Sequence, residues 1–169
     1  REAFEAAKID AVIAVHLYGN AADAPALAEL CREHGVPLIE DCAQAHGCII
    51  GDRPAGSFGA AAAWSFYPTK NLGAYGDAGA VTSPDETLIA RVKALRNYGY
   101  PEGTRDNPHE PGLNERMDEI QAAILSAKLP HLDDWVARHQ AIATAYDEAF
   151  AALESIVPVR PIPGTTSAR

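Results

Sequence analysis

The chain has 169 residues, 47% of them hydrophobic and 22% charged, which suits a soluble globular domain with a real core. With 14 basic residues against 23 acidic the formal net charge is −9, and no run of Lys and Arg occurs, which argues against a nucleic-acid surface. No apolar run reaches membrane-spanning length and no signal-peptide pattern is visible, so no membrane association is expected.

Three cysteines, Cys31, Cys42 and Cys48, lack C-x-x-C spacing and point to a reducing, cytoplasmic setting. The chain opens on Arg1 rather than Met and stops at Arg169 after a Pro/Gly/Thr/Ser stretch; a fragment cut at both ends is expected.

Arg1 to Lys8 reads as the end of a helix. Ile9 to Val15 is apolar apart from Asp10 and rich in Val and Ile, so it reads as a buried strand. His16, Tyr18 and Asn20 follow at its carboxyl end, where open parallel sheets place their ligands; loop packing is the competing reading for His16 and Tyr18. Asp23 is set to cap a helix with Pro25 in its first turn. Leu27, Leu30, Cys31 and His34 recur at helical spacing, and Gly35 ends the pattern. Val36 to Ile39 reads as the next strand. Residues 9–41 thus form a βαβ unit, expected to be parallel.

The stretch 40–47 leaves that strand through small residues that let a flat group approach. Cys48 to Ile50 and Gly51 to Pro54 read as a short strand and turn. Ala60 to Phe66 is a further apolar strand, followed by Lys70, by Gly73, Gly76 and Gly79, and by a strand from Ala78 to Thr82. Ser83-Pro84-Asp85-Glu86 fits a capping box with Pro at the first helical position, opening a helix that runs to about Arg96. Asn97 to Pro111 is a long loop. Asn114 is expected to start a helix with Met117, Ile120, Ile124 and Leu125 on its apolar side. Pro130 breaks it, and another helix runs from about Leu132 to Leu153. Ile156 to Val159 is a candidate strand, and Pro158, Pro161 and Pro163-Gly164 mark a linker.

Two residues carry the chemistry. Lys70 follows a strand among aromatic and small residues, with no other charge until Asp77. Partial desolvation disfavours the charged amine, and a neutral amine is what a Schiff base requires. Asp41 sits at the carboxyl end of the Val36–Ile39 strand. A Schiff-base Lys with such an Asp is the pair that pyridoxal 5′-phosphate uses: the Lys holds the aldehyde and the Asp keeps the ring nitrogen protonated. Gln44, three residues past Asp41, can face the same ligand if the turn coils. Cys42, His46 and Cys48 cluster locally, but the set is incomplete for zinc, and packed cysteines are the simpler reading; no metal is expected.

Asp41-x-x-Gln44, Ser65-x-x-x-x-Lys70-Asn71 and Gly112-Leu113-Asn114-Glu115-Arg116-Met117 together resemble the DegT-type nucleotide-sugar aminotransferases, which are fold-type I pyridoxal-phosphate enzymes. The resemblance runs from about Ile9 to Tyr146. It implies an α/β/α three-layer fold with a mostly parallel sheet: residues 1–127 as part of the cofactor-binding large domain, and residues 128–169 as the helical connection to a smaller domain.

It also implies roles. Lys70 would bond the cofactor aldehyde, Asp41 would pair with the pyridinium nitrogen, Gln44 would approach the phenolic oxygen and Ser65 would bind the phosphate. Asn114 would reach the phosphate in the neighbouring subunit of a homodimer, with a helix cap as its plainer role. The implied substrates are an amino-acid donor, glutamate, and a nucleotide-linked keto-deoxysugar. Tyr67-Pro68-Thr69-Lys70-Asn71-Leu72-Gly73-Ala74 looks most like branches that aminate carbon 3 of a thymidine-diphosphate sugar.

Three rivals bear weighing. A short-chain dehydrogenase needs Tyr and Lys four apart and a G-x-G-x-x-G turn; Tyr67 and Lys70 are three apart and the turn is missing. A sugar dehydratase branch of the family carries His in place of the Lys, so Lys70 speaks against it. A regulatory relative that binds the cofactor without turnover would not need both Lys70 and Asp41.

Overall fold

The computed structural model describes residues 1–104, 108 and 110–169. A short helix α1 (Glu2–Ala6) precedes strand β1 (Val12–Val15), helix α2 (Ala24–His34) and strand β2 (Leu38–Asp41). β1 and β2 pair in parallel, as the βαβ reading requires. Asp23 caps α2 by accepting the Ala26 N–H at 3.3 Å, and Gly35 ends it in the left-handed conformation at φ +66°, which suits a residue without Cβ.

Strands β3 (Ile49–Ile50) and β4 (Arg53–Pro54) form a small hairpin. Strand β5 (Ala61–Ser65) then pairs in parallel with β2, and β6 (Gly79–Thr82) pairs antiparallel with β5. The main sheet therefore has the order β1-β2-β5-β6, three parallel strands and one antiparallel edge. Helices α3 (Glu86–Leu95), α4 (Glu119–Lys128) and α5 (Leu132–Phe150) follow, and β7 (Thr165–Thr166) returns to pair with β3.

Strand alternation divides the sheet into two faces. Ala14, Glu40 and Ala62 lie side by side on one face, and all three are buried. On that side α2 packs through Leu27, Ala28 and Cys31 against Ala14 and Leu38. Val15, Asp41, Ala63 and Val81 share the other face, where Val15 and Val81 are exposed and Asp41 is half-buried. Another apolar cluster, Leu72, Ala74 and Leu125 with Phe66, Met117 and Leu132, fastens the segment after β5 onto α4 and α5.

Several local expectations shift. The second strand starts at Leu38 and ends on Asp41, so the acid is the last strand residue. The cap of α3 is Asp85, which accepts the Thr87 and Leu88 N–H groups at 2.8 and 3.2 Å. Pro84 therefore stands before the cap, not at the first helical position. Asn114 does not open a helix. It pairs as an isolated bridge with Asn97, and α4 begins at Glu119 after Asp118. Its helix-cap role is thereby removed. Residues 156–159 form no strand; the strand lies at 165–166, because Ile162 packs on the core around Cys42 and carries the chain back to β3. Part of the 97–111 loop lies outside the described residues.

Candidate active site

Lys70 sits in a turn directly after β5, its backbone N–H donating to the Tyr67 carbonyl at 2.9 Å. Ala74 N–H returns to the Phe66 carbonyl at 2.8 Å, so residues 66–74 form a closed loop that presents Lys70. Gly73 is required there: a Cβ would stand 2.5 Å from the Pro68 carbonyl oxygen. The loop is held from α4, where Gln121 accepts the Tyr75 N–H at 2.8 Å and the Lys128 ammonium donates to the Gly73 carbonyl.

Lys70 is half-buried and lines two cavities. The smaller, about 260 Å³, is walled by Tyr18, Gln44, Thr69, Asn71 and Arg169 beside it. The larger, about 1140 Å³, extends past Ala63, Ser65, Gly79 and Ala80 to Asn114 and Arg116. Asp41 lines neither, but Ala63 in the larger cavity is its cross-strand neighbour on the same face of the sheet. Lys70 and Thr69 thus border both cavities, with Gln44 on the smaller, Ser65 and Asn114 on the larger, and Asp41 one strand away from Ala63.

Asp41 accepts the Ala43 N–H at 3.0 Å, which coils the chain toward Gln44. Gln44 is exposed, and its Oε1 accepts the Tyr18 N–H at 2.7 Å. Tyr18 holds a left-handed backbone, φ +58° and ψ 29°, uncommon for a residue with a side chain and a mark of local constraint. Gly19 follows at φ +74°. Its Cβ would fall 2.5 Å from the Arg169 nitrogen, because Ala168 N–H donates to the Gly19 carbonyl at 2.8 Å. Asn71 Nδ2 donates to the Ala168 carbonyl at 2.6 Å, which completes that wall of the small cavity. The Ser65 hydroxyl accepts the Tyr67 N–H at 3.4 Å, leaving its own proton to donate.

Two buried groups were not assigned from the sequence. Glu40 is 0% exposed; it accepts the N–H groups of Gly56, Phe58 and Gly59 at 2.7–2.8 Å and meets His16 Nε2 at 3.1 Å. Burial pushes this carboxyl up, but the His16 contact and the three N–H donors outweigh it and hold it below the ordinary carboxylate range. The signal available in sequence was alternation: an acid one residue from Asp41 must face the opposite side, where burial demands partners.

His46, 3% exposed, packs between the Trp64 and Phe66 rings at 5.6 and 5.5 Å. Among the described residues neither of its ring nitrogens finds a hydrogen-bond partner. Burial, and then the nearby Lys70 charge, push it down to about 4; the Ser65 backbone offsets part of this from outside hydrogen-bond geometry. Cys42 is buried and free, its thiol pushed up to about 12 by burial and then by Glu40 and Asp41, so it is packing rather than a thiolate.

Comparison with known proteins places this arrangement. Residues 2–168 match the model of the DegT/DnrJ/EryC1/StrS aminotransferase family. The chain belongs to that family. It is 47% identical over 147 residues to the dTDP-3-amino-3,4,6-trideoxy-alpha-D-glucose transaminase of Streptomyces venezuelae, covering 86% of this chain and 38% of that protein. It is 44% identical over 145 residues to a protein of Geobacillus stearothermophilus named pleiotropic regulatory protein, covering 86% of this chain and 38% of the relative.

Among solved structures, S. venezuelae DesV in complex with a ketimine intermediate superposes with a TM-score of 0.88 at 44% identity, over 94% of this chain and 42% of that one. The family fold is therefore an α/β domain with a mostly parallel sheet, as observed. The chain spans about two fifths of the length of the curated relatives it matches. No helix among the described residues is long and apolar enough to cross a membrane.

Proposed function

We propose that the chain forms part of a pyridoxal-phosphate-dependent aminotransferase. It moves an amino group from an amino acid, glutamate, to a nucleotide-linked keto-deoxysugar, a dTDP-3-keto-6-deoxyhexose. One observation carries the reading: Lys70 lines both cavities, joining Gln44 on one side to the Ala63 floor beside Asp41 on the other. The donor set fits the cofactor. The Lys70 amine and the Ser65 hydroxyl line a space bordered by Ala63, Gly79 and Ala80, small residues that admit a flat ring; the Asp41 carboxylate is the cross-strand neighbour of Ala63, and the Gln44 amide lines the smaller cavity that Lys70 shares.

When bound, pyridoxal phosphate supplies an aldehyde and an electron-accepting ring. Lys70 would be the residue that holds the aldehyde, and its Nζ, when free as the neutral amine, would take and return a proton as general base and acid. Asp41 would hold a proton on the ring nitrogen. Gln44 would approach the ring oxygen, and the Ser65 hydroxyl would donate to the phosphate. Asn114, on the far rim of the larger cavity, serves the phosphate of a second subunit in a homodimer. Residues 1–127 belong to the cofactor-binding lobe, and 128–169 lead toward a smaller one. The similarity to S. venezuelae transaminase supports the sugar class.

A second reading, cofactor binding without turnover, draws on the similarity to the G. stearothermophilus regulatory protein. The intact polypeptide mixed with pyridoxal phosphate should show a visible imine band that glutamate bleaches. A band that glutamate leaves unchanged would favour the second reading, and no band at all would remove both.

A further inference from the structure

We propose that the buried His16–Glu40 pair is a positioning device that sets which atom of Gln44 faces the Lys70 cavity. The inference rests on the proposed function and adds residues to its site.

The chain of contacts begins in the protected face of the sheet. Glu40 is fixed by three backbone N–H groups from the 56–59 turn, so it cannot swing away. His16 Nδ1 accepts the Ala22 N–H at 3.1 Å. That nitrogen therefore carries no proton, and the proton sits on Nε2, donated to Glu40 at 3.1 Å. His16 is thus a neutral imidazole of one defined tautomer, 1% exposed, bonded to the end of β2 and to the far end of the 17–22 turn. Its own backbone N–H donates to the Asp41 carbonyl at 3.1 Å, which ties the same residue to the strand end that carries Asp41.

The turn so pinned contains Tyr18, whose left-handed backbone aims its N–H at Gln44. A backbone N–H can be met only by the amide oxygen, so Gln44 Oε1 is turned to Tyr18 and Nε2 is the end left to donate beside the cavity that Lys70 shares. Gln44 is therefore presented as a donor. Toward the ring oxygen of the bound cofactor, a donor favours the form with one proton fewer, because that form is more negative. A Gln44 free to rotate would present either end.

The test reads the pH midpoint of the cofactor's visible band in the intact polypeptide, alongside the melting temperature of the cofactor-free protein. Gln44→Leu should raise the midpoint by about one unit, the size of a lost hydrogen bond to a charged oxygen. His16→Gln keeps a donor for Glu40 but loses the acceptor for Ala22, and His16→Asn does the reverse. Both should raise the midpoint toward the Gln44→Leu value, and His16→Gln should add little in the Gln44→Leu background. A purely structural His16 would lower the melting temperature and leave the midpoint within about 0.2 units of the parent; that result, or full additivity in the double variant, overturns the inference.

Should both His16 variants fail to fold, a structure of the unsubstituted protein with pyridoxal phosphate decides. Gln44 Oε1 on Tyr18 N–H with Nε2 toward the ring oxygen sustains the inference, and a flipped or detached amide overturns it. A parent without any band overturns the proposed function itself, whereas a band indifferent to His16 overturns only this step.

Discussion

Glu40 and Asp41 are neighbours in one strand and have opposite surroundings. Glu40 points into the face packed beneath α2 and the 56–59 turn, with His16 and three N–H groups on its carboxylate. Asp41 points to the other face, half-buried, beside Ala63 and the larger cavity. A saturated buried carboxylate holds chain segments together and has no lone pair left for a ligand. A partly open one at a strand end can still bind. The contrast teaches that acid chemistry at a sheet edge is assigned by the face, and that the two roles can stand one residue apart.

The largest effects should come from the open face. On the proposed function, Lys70→Ala in the intact polypeptide should retain cofactor binding but lose amino transfer by about a thousandfold or more, since the variant would lack the general base as well as the covalent anchor. Steady-state assay with spectral titration of the cofactor checks both halves; near-normal turnover would take Lys70 out of the mechanism.

The two acids themselves give the next test. On the same proposal, Asp41→Asn should cut transfer by about a hundredfold or more while barely moving the melting temperature, because the ring would lose its protonating partner. Glu40→Leu should do the converse at first sight, destabilising the fold by about 3 kcal/mol or more, since it leaves His16 and three N–H groups unpaired in a buried site. Chemical denaturation of the two variants side by side would break the comparison if their stabilities proved alike.

The smallest effect is a pH slope. His46 is held down to about 4 in the fold against an ordinary 6.5, so the unfolded chain binds its proton first on acidification. Its stabilising contribution is complete above about 6.5 and is lost as the pH falls toward about 4. Glu40, held low by its partners, adds a further loss once the pH falls below the ordinary carboxylate range. His46→Phe should flatten the first part of that decline. Denaturation midpoints at pH 7 and pH 5 measure it, and an unchanged slope would show that His46 does not titrate as stated.

Much of this was legible beforehand where the signal is local. The βαβ unit followed from two Val/Ile/Leu-rich runs flanking an Asp23-capped, Gly35-terminated helix. The strand–Lys70–glycine pattern followed from an apolar run ending in a loop that only small residues can follow. Less was legible where a distant segment decides. Asn114 looked like a helix start, yet it is drawn into a bridge with Asn97 seventeen positions earlier in the chain. The Pro-rich stretch at 158–164 looked like an exit, yet Ile162 and Ala168 have burial to gain against the core around Cys42, and the chain turns back.

By itself the sequence determined the four strands of the main sheet, helices α2, α3 and α5, and the family, because period, capping and turn chemistry act within a few residues. Only the tertiary structure decided which face of β2 is covered, that Glu40 and His16 find each other across 24 positions, and which end of Gln44 is free. Those outcomes depend on long-range contacts between groups whose spacing in the chain carries no periodic trace, so no reading of neighbours could have supplied them.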